Sequence, residues 1–471
     1  MRKILRLRRW ILFILTIFLT TINLLWTFCL LDTEINSQRI NKSFNRNSKP
    51  FLAIESVNDA TMPPLNQSLL QKMPKHNFRL AFDNISFETG RWDNLRNYKM
   101  FDFALIGDKF IKSSHENIVC LATQSSVERL YSLTQVAHQW NGPISTAVYV
   151  AGDEEFFILQ HFVTYMRLCF SFIRDNVTFH IAVPNNKEPV HGQIPNLFNS
   201  FDCQYPEQTL RHLLKIRNPD TIRWRLKNEY PQNHLRNLAR KGCQNKYVFL
   251  TDIDIIPSTN MVSLLNKFLP SAKCSYRCAY VIPTFEIDNR AKFPASKPEL
   301  MRLYRKGLAR PFHEKVFIYN QYATNFSIWL MNSTNEDERA HISHVVTNFE
   351  FLYEPFYVAF DDVPAHDERF IGYGFTRNSQ VYEMYISGYT FFVLSPVFTC
   401  HWGLQQKKAR PVWREQQNNL NRKRFEMFKH EILARYKKYS KIVLHYLELR
   451  IYFNLQEDNQ EIIGIVEVNW K

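Results

Sequence analysis

Two carboxylates interrupt an apolar run in the middle of this chain, and they are its first candidates for chemistry. The segment KYVFLTDIDIIP, residues 246–257, is mostly apolar around Asp252 and Asp254. Burying an unpaired carboxylate is costly, so both acids need partners. Side chains two residues apart in a strand point the same way, and we expect both to face one cleft as hard oxygen ligands for Mn²⁺ or Mg²⁺. The simpler alternative is that they cap neighbouring backbone amides.

The sequence around these acids alternates between apolar strands and amphipathic helices. Strands are predicted at 117–123, 143–151, 177–184 and 246–256, with helices at 126–140, 153–170 and 231–243. Strands separated by helices of this length are joined by right-handed crossovers and form a mainly parallel sheet. Ligands bind such α/β sheets at the carboxyl ends of the strands, where Asp252 and Asp254 lie. An all-β domain is excluded, because short strands at regular turn spacing are missing.

The N-terminus has the charge pattern of a membrane anchor. Residues 1–9 carry five positive charges and precede 22 uncharged residues, 10–31. A helix of that length spans about 33 Å, enough to cross a membrane as a single transmembrane signal-anchor. The basic flank is expected to stay cytosolic and the rest of the chain to be lumenal. A cleaved signal peptide is the alternative, although the apolar core is long for one and no small-x-small cleavage site follows.

The rest of the chain divides into a predicted stem and a folded domain. Residues 32–114 are polar with little periodicity, although their aromatic second half could pack onto the domain. Residues 115–471 form the predicted domain, with a basic helix at 413–450 near its C-terminus. Much of the net charge of +15 lies in the first nine residues and in 407–441. A lumenal location argues against nucleic acid as a partner.

The cysteines and glycosylation sequons agree with a lumenal domain. Seven cysteines follow Cys29 of the predicted anchor, which predicts disulfides and at least one odd thiol in an oxidising compartment. Cys274 and Cys278 are expected to pair or to be buried rather than to bind zinc, because no second pair accompanies them. Asn-x-Ser/Thr sequons begin at Asn41, Asn66, Asn84, Asn176, Asn325 and Asn332.

Three further blocks of the sequence are QWNGPISTAVYV at 139–150, YPQNHLRNLAR at 230–240 and YEPFYVAFDDVPAHDERFIGYGFTRN at 353–378. These blocks resemble glycosyltransferase family 49, which contains β-1,4-glucuronyltransferases and the glucuronyltransferase domain of LARGE. The resemblance extends over about 117–405, and within it KYVFLTDIDIIP is similar to the Asp-x-Asp strand of the glycosyltransferase A fold. It implies a Rossmann-like lumenal domain and a type II Golgi enzyme. Such an enzyme uses a UDP-sugar and Mn²⁺ and inverts the anomeric carbon.

The resemblance also implies roles for individual residues. Asp252 and Asp254 match the metal-binding pair, and His401 in SPVFTCHWGLQ matches a histidine that completes the metal site in many enzymes of this fold. The alternative for His401 is simple packing between its neighbours. Asp367 in AHDERF matches the family's aspartate and is the predicted base for the acceptor hydroxyl. The alternative is that Asp367 pairs with Arg369 in a surface loop.

Five more positions are predicted to contact the donor. Thr123 and Gln124 follow the first predicted strand, where the fold places uracil and ribose. Arg236 and Asn237 could contact the donor phosphate or sugar, and arginine suits the carboxylate of a glucuronate. The alternative for Arg236 is an ordinary place on a helix surface. Gly403 could let the backbone approach a phosphate closely.

Taken together, these features predict an enzyme that moves glucuronate from UDP-glucuronate to a glycan acceptor, such as xylose on a glycoprotein. One alternative is a relative that uses another UDP-sugar, for instance UDP-xylose or UDP-N-acetylglucosamine. Another is a catalytically silent lectin or chaperone with the same fold. The presence of Asp252, Asp254, His401 and Asp367 favours an enzyme. The sequence leaves open whether a homodimer or a heteromeric Golgi complex forms.

Overall fold

The structure, a computed structural model, describes five stretches of the chain: 79–190, 203–274, 276–331, 339–407 and 411–436. All of them belong to one compact unit. The predicted cytosolic tail and anchor lie outside the described residues, as does the predicted stem up to residue 78. Within the described stretches, no helix has the length and apolar character needed to cross a membrane.

These stretches form fourteen strands and twelve α-helices. The strands are β1 Arg91–Trp92, β2 Tyr98–Leu105, β3 Val119–Ser126, β4 Ile144–Tyr149, β5 Val177–Pro184, β6 Tyr247–Leu250, β7 Ile256–Pro257, β8 Cys278–Ile282, β9 Thr284–Ile287, β10 Ala309–Pro311, β11 His341–Val345, β12 Phe356–Phe360, β13 Thr390–Ser395 and β14 Thr399–Trp402. The helices are α1 Phe110–Glu116, α2 Leu133–Trp140, α3 Gly152–Cys169, α4 Ser171–Asn176, α5 Pro206–Lys215, α6 Pro219–Lys227, α7 Gln232–Gly242, α8 Met261–Phe268, α9 Lys297–Arg305, α10 Phe326–Met331, α11 Asn378–Ile386 and α12 Val412–Arg435.

Ten strands of the described chain form one sheet, in the order β1-β2-β5-β4-β3-β6-β12-β8-β13-β11. Its centre, β5-β4-β3-β6, is parallel, as the alternation of strands and helices predicts. Beyond β6 the order changes, because β12 lies antiparallel between β6 and β8. The outer pairs β1-β2, β2-β5 and β11-β13 are also antiparallel. β13 runs parallel to β8. The α/β fold is therefore confirmed, but the sheet is mixed, and the prediction of a mainly parallel sheet holds for the central strands and for the β8-β13 pair.

A smaller sheet of four described strands, β10-β9-β14-β7, carries the late part of the chain. In it β14 runs parallel to β9 and antiparallel to β7. Because β7 begins shortly after β6 ends, the short connection between them, residues 251–255, joins the two sheets. Asp252 and Asp254 lie in this connection, which we call the acidic turn.

The strand predicted at 246–256 is shorter than expected. β6 ends at Leu250, and the chain then turns, with the amide of Ile255 donating to the carbonyl of Asp252 at 3.1 Å. Asp252 and Asp254 therefore do not lie in a strand, and the prediction that strand alternation makes them face the same way is wrong. A turn at the carboxyl edge of the sheet positions them instead.

The predicted stem extends too far along the chain. Residues 91–105 fall within its limits, but they form β1 and β2, and β2 pairs with β5 in the large sheet. Phe82 is 4% exposed and packs into the main core. The aromatic second half of the predicted stem is thus part of the folded domain.

Disulfides and helix packing stabilise the domain around this sheet. Among the described cysteines, Cys400 is free and buried, and the pairs are Cys120–Cys243, Cys169–Cys203 and Cys274–Cys278. This confirms the prediction of several disulfides and an odd thiol. The first part of the predicted basic C-terminal helix is confirmed by α12, whose Phe425, Phe428 and Ile432 pack on Phe370. Residues 437–450 of that prediction lie outside the described residues.

Candidate active site

Asp254 and His401 meet where the two sheets join. The Oδ2 atom of Asp254 lies 3.6 Å from Nε2 of His401, because the pairing of Cys400 with Ile256 brings β14 beside the acidic turn. Burial raises the pKa of the Asp254 carboxyl, but the hydrogen bond and charge of His401 outweigh it and lower that pKa. Burial lowers the pKa of His401, and Asp254 more than reverses this. The two side chains therefore stabilise each other's charge.

Asp252 is held by arginines from two other parts of the chain. Its Oδ1 atom accepts hydrogen bonds from Nη2 of Arg377 at 2.6 Å and from Nη2 of Arg236 at 3.3 Å. Burial raises the pKa of the Asp252 carboxyl, but Arg377 and Arg236 outweigh it and hold the pKa at about 2. Asp252 is therefore ionised at physiological pH. Arg377 and Arg236 are the partners that the burial of this carboxylate requires.

The donor atoms at this junction fit a hard divalent cation. The side chains of Asp254 and His401 remain 33% and 17% exposed, and they present an oxygen and a nitrogen to the same space. Mn²⁺ and Mg²⁺ are usually bound by one or two carboxylates, with substrate phosphates and water completing the shell. No cluster of three or more His, Cys, Asp or Glu in the described residues has the arrangement of a complete metal site. Asp254 and His401 would therefore hold the ion with help from the substrate. The Asp252 side chain is also 33% exposed, and its role as a third ligand stays a prediction.

Arg236 lies on α7 and points into the protein. Its Nη1 atom donates to Oδ1 of Asn233 and to Oγ1 of Thr376, both at 3.1 Å, while Nη2 reaches Asp252. Only 5% of Arg236 is exposed. These contacts make it a positioning residue for the acidic turn, and direct contact with the donor stays a prediction.

Asn237, the next residue of α7, makes its contacts with a different segment. Its Nδ2 atom donates to the carbonyl of His366 at 2.8 Å and to Oε1 of Glu368 at 3.0 Å. Its Oδ1 atom accepts from the amide of His366 at 2.9 Å. Asn237 thus fixes residues 366–369, which we call the anchored segment.

Asp367 lies in the anchored segment and is engaged by Arg369. Its carboxylate accepts hydrogen bonds from the backbone amide, Nε and Nη2 of Arg369 at 2.7–3.0 Å. Arg369 also bridges Glu431 of α12 at 2.6 Å. This is the surface pairing that stood as the alternative to a catalytic base. The role of Asp367 as the base stays a prediction, and its geometry does not favour it.

The remaining predicted donor contacts lie at different depths. Thr123 and Gln124 belong to β3 rather than following it, and both are buried. The Oγ1 atom of Thr123 has no hydrogen-bond partner among the described residues, and Gln124 accepts from the hydroxyl of Tyr230. Gly403 follows β14 with a φ of +90°, a conformation that favours glycine. A side chain there would meet no atom closer than 3.7 Å.

Three residues that the sequence analysis did not select complete the site. Arg377 belongs to the block at 353–378 that carries the resemblance, and its position there was the available signal. Nη1 of Arg129 lies 3.7 Å from Oδ2 of Asp254, and its side chain is 59% exposed. The ring of His313 stacks on Phe312 at 3.9 Å, and burial lowers its pKa to about 4. No local pattern distinguishes Arg129 or His313 from other residues of their type.

Comparison with known proteins shows the family of the chain. Residues 118–437 match the family described as glycosyl-transferase for dystroglycan. The chain is 31% identical over 338 residues to beta-1,4-glucuronyltransferase 1 of Danio rerio, which covers 68% of this chain and 74% of the relative. For the Homo sapiens protein of the same name the identity is 33% over 330 residues, covering 68% and 76%. Xylosyl- and glucuronyltransferase LARGE1 of Homo sapiens is 28% identical over 286 residues, covering 60% of this chain and 31% of its own.

These matches define the class of the protein as a glycosyltransferase. The chain belongs to glycosyltransferase family 49, and the resemblance predicted from the sequence is confirmed. Among solved structures, GalNAc-T7 with UDP, GalNAc and Mn²⁺ aligns with a TM-score of 0.32 and 7% identity, covering 63% of this chain and 46% of that chain. That likeness is too weak to add to the conclusion.

Proposed function

We propose that the protein transfers glucuronate from UDP-glucuronate to a glycan acceptor, such as xylose on a glycoprotein. The observation that carries the proposal is the 31–33% identity with beta-1,4-glucuronyltransferase 1 over 68% of the chain. A xylosyl- and glucuronyltransferase is also among the relatives. The acidic turn supports the use of a sugar nucleotide, because it presents ionised carboxylates beside arginines at the carboxyl edge of the sheet.

The residues of the site have different roles in binding the donor. Asp254 and His401 would hold Mn²⁺ or Mg²⁺, which when bound neutralises charge on the donor diphosphate and on the departing UDP. Arg129 is largely exposed beside Asp254, so its guanidinium can pair with a diphosphate or with the carboxylate of glucuronate. Arg236 and Arg377 keep Asp252 ionised and fixed. The acidic turn is therefore ordered before the donor binds. This lowers the conformational entropy that donor binding costs.

Transfer with inversion takes place as a single displacement. The oxygen of the acceptor hydroxyl forms a bond to the anomeric carbon while the bond from that carbon to the β-phosphate oxygen breaks, and UDP departs. The acceptor proton passes to a base on the face opposite the departing UDP. The site must therefore contain a carboxylate or imidazole that can reach the acceptor.

We further propose that the enzyme is a single-pass type II protein of the Golgi membrane with a lumenal catalytic domain. The charge pattern of residues 1–31 supports this orientation. The disulfides fit an oxidising compartment. Protease treatment of sealed Golgi vesicles should leave the domain intact until detergent is added. Digestion without detergent would contradict the proposed orientation.

A donor panel tests the proposed activity. The detergent-solubilised full chain is assayed with Mn²⁺, a β-xyloside acceptor and a set of UDP-sugars. We expect turnover with UDP-glucuronate to exceed turnover with any other donor, and to disappear when EDTA removes the metal. Turnover with UDP-xylose and none with UDP-glucuronate would contradict the proposed donor. Full activity in EDTA would contradict the metal dependence.

A further inference from the structure

Three acidic side chains near the predicted site, Asp367, Glu368 and Glu286, are hydrogen-bonded to other parts of the protein. Asp367 is bound by Arg369. Glu368 accepts from Asn237 at 3.0 Å and lies 3.6 Å from Nε2 of His234. Glu286 is fully buried and accepts from Arg310 at 2.8 Å and from two backbone amides. Each of these three carboxylates is thus held by donors of the protein itself. The acceptor proton needs another destination.

Glu354 reaches the acidic turn through the pairing of β12 with β6. In that pairing Tyr357 lies opposite Leu250, the last residue of β6. The strands are antiparallel, so the chain that leads into β12 runs beside the chain that leaves β6. Glu354 precedes Tyr357 by three residues and therefore lies alongside the acidic turn.

The direction of the Glu354 side chain follows from its neighbours. The residue after it is a proline, which restricts Glu354 to an extended conformation. In an extended chain its side chain lies on the same side as that of Phe356. The guanidinium of Arg377 lies over the Phe356 ring, 4.3 Å from its centre, and also donates to Asp252. Glu354 therefore faces the space that Arg377 and Asp252 line.

The backbone of Glu354 is fixed while its carboxylate is lightly held. Its amide donates to the carbonyl of Asn320 at 2.8 Å, and its carbonyl accepts from Nε2 of Gln321 at 2.9 Å. The carboxylate receives one long hydrogen bond from the described residues, from Nδ2 of Asn320 at 3.4 Å. The same Nδ2 atom lies 3.0 Å from Nδ1 of His313. The backbone of Glu354 is thus held in place by two hydrogen bonds. Among the described residues, no lysine or arginine lies within hydrogen-bonding distance of its carboxylate.

The charges around Glu354 suit a proton acceptor. Burial raises the pKa of its carboxyl, and Asp252 adds to this, while Arg377 and Arg236 oppose it without reversing the shift. A raised pKa strengthens a carboxylate as a base. Arg377 and Arg236 favour the ionised form of the carboxylate, the form that accepts a proton.

We propose that Glu354 is the catalytic base of the transfer, which rests on the proposed function. Its carboxylate takes the proton of the acceptor hydroxyl as the oxygen bonds to the anomeric carbon and UDP leaves. The resulting carboxylic acid releases that proton to solvent after the product departs. No oxidant or second reactant is needed. Arg377 links the base to the acidic turn, because its charge lowers the pKa of the Glu354 carboxyl and its Nη2 atom donates to Asp252.

The test compares three variants of the full-length enzyme: Glu354→Gln, Asp367→Asn and Glu368→Gln. Each removes one carboxylate charge and nearly preserves the shape of the side chain. With the donor that the wild type uses best, Glu354→Gln should lower kcat by about 10³-fold. It should change the KM for the donor less than about threefold, because the base does not hold the nucleotide. Asp367→Asn and Glu368→Gln should each lower kcat less than about tenfold.

A second variant covers the case in which Glu354→Gln does not fold. Glu354→Asp keeps the charge but withdraws the carboxylate by one methylene, and kcat should fall at least about tenfold. Wild-type kcat in Glu354→Asp, or more than a tenth of it in Glu354→Gln, would overturn the proposal. A loss of about 10³-fold in Asp367→Asn would also overturn it and make Asp367 the base. An inactive wild type with every UDP-sugar would overturn the proposed function itself, so the two failures are distinguishable.

Discussion

The acidic turn and the anchored segment each carry two carboxylates, but different partners hold them. In the acidic turn, Asp252 is bound by Arg377 and Arg236, while Asp254 keeps a face toward His401 and the cleft. In the anchored segment, Asp367 is bound by Arg369 from the same segment. The partners of the acidic turn come from distant parts of the chain and leave one carboxylate available. In the anchored segment, Arg369 pairs with Asp367 and Asn237 of α7 donates to Glu368, so both carboxylates have protein partners.

Helix α7 supports both regions from neighbouring positions. Arg236 reaches the acidic turn, and Asn237 binds the anchored segment. Nδ2 of Asn233 donates to the carbonyl of Asp367 at 2.8 Å, which adds to the three bonds that Asn237 makes with the anchored segment. The end of α7 is tied to β3 by the disulfide between Cys120 and Cys243. The helix thus fixes the acidic turn and the anchored segment relative to each other.

The largest difference in activity between variants of the acidic turn and variants of the anchored segment should come from Asp254→Asn. The amide keeps the shape but removes the charge that a divalent cation needs, and kcat should fall by at least about 10³-fold. The stability of the fold should change little, because the side chain is partly exposed and its partner is a histidine. A donor assay with increasing Mn²⁺ measures the change. Asp83→Asn, which removes the same charge from an exposed ion pair with Arg79, is the control, and unchanged activity in Asp254→Asn would remove the metal assignment.

Arg377→Ala should have the next largest effect. It removes the 2.6 Å hydrogen bond to Asp252 and leaves that carboxylate held by the longer bond from Arg236, so kcat/KM should fall by about 10²-fold. Arg377→Lys keeps the charge without the planar guanidinium and should recover part of the loss. Steady-state kinetics checks both. Arg290→Ala, which removes an exposed arginine paired with Asp288, is the matched control, and equal activity of Arg377→Ala and this control would contradict the role of Arg377.

Asn237→Ala should affect stability more than chemistry. It removes the three hydrogen bonds that hold the anchored segment, and the free energy of unfolding should fall by about 2 kcal/mol. Urea titration of the variant measures this loss. Gln244→Ala, which removes one 3.3 Å hydrogen bond just beyond the same helix, should be nearly neutral. If Asn237→Ala instead weakens donor binding tenfold with unchanged stability, the original prediction of a donor contact is restored.

Asp367→Asn should give the smallest effect. Arg369 is half exposed and retains its bridge to Glu431, so the loss of stability should be about 1 kcal/mol. Turnover should stay within about tenfold of the wild type. The same urea titration and donor assay apply, and a collapse of turnover at full stability would show that the anchored segment takes part in chemistry.

The sequence predicted the parts of the fold that depend on local periodicity. The strand at 177–184 coincides with β5, and the helix at 231–243 matches α7 within one residue at each end. The apolar positions of these elements repeat at spacings that only one regular structure allows. The presence of disulfides was predicted from the expected oxidising compartment. The family was predicted from the three sequence blocks that resemble it.

The parts that were missed depend on contacts between distant residues. β12 inserts antiparallel beside β6 although more than a hundred residues separate them, and no local pattern encodes that pairing. The bond between Arg377 and Asp252 spans 125 positions. The early end of β6 follows from the same contacts, because β7 leaves for the second sheet. Long-range partners therefore decide which of the predicted acids lines the cleft.

Binding of UDP, measured by calorimetry in the presence of Mn²⁺, tests the central claim most directly. The claim is that the acidic turn forms the donor site and the anchored segment does not. Wild type and Asp367→Asn should bind UDP with the same affinity within about threefold, and Asp254→Asn should bind it at least about thirtyfold more weakly, a loss of about 2 kcal/mol. Wild-type affinity in Asp254→Asn, or an equal loss in Asp367→Asn, would contradict it.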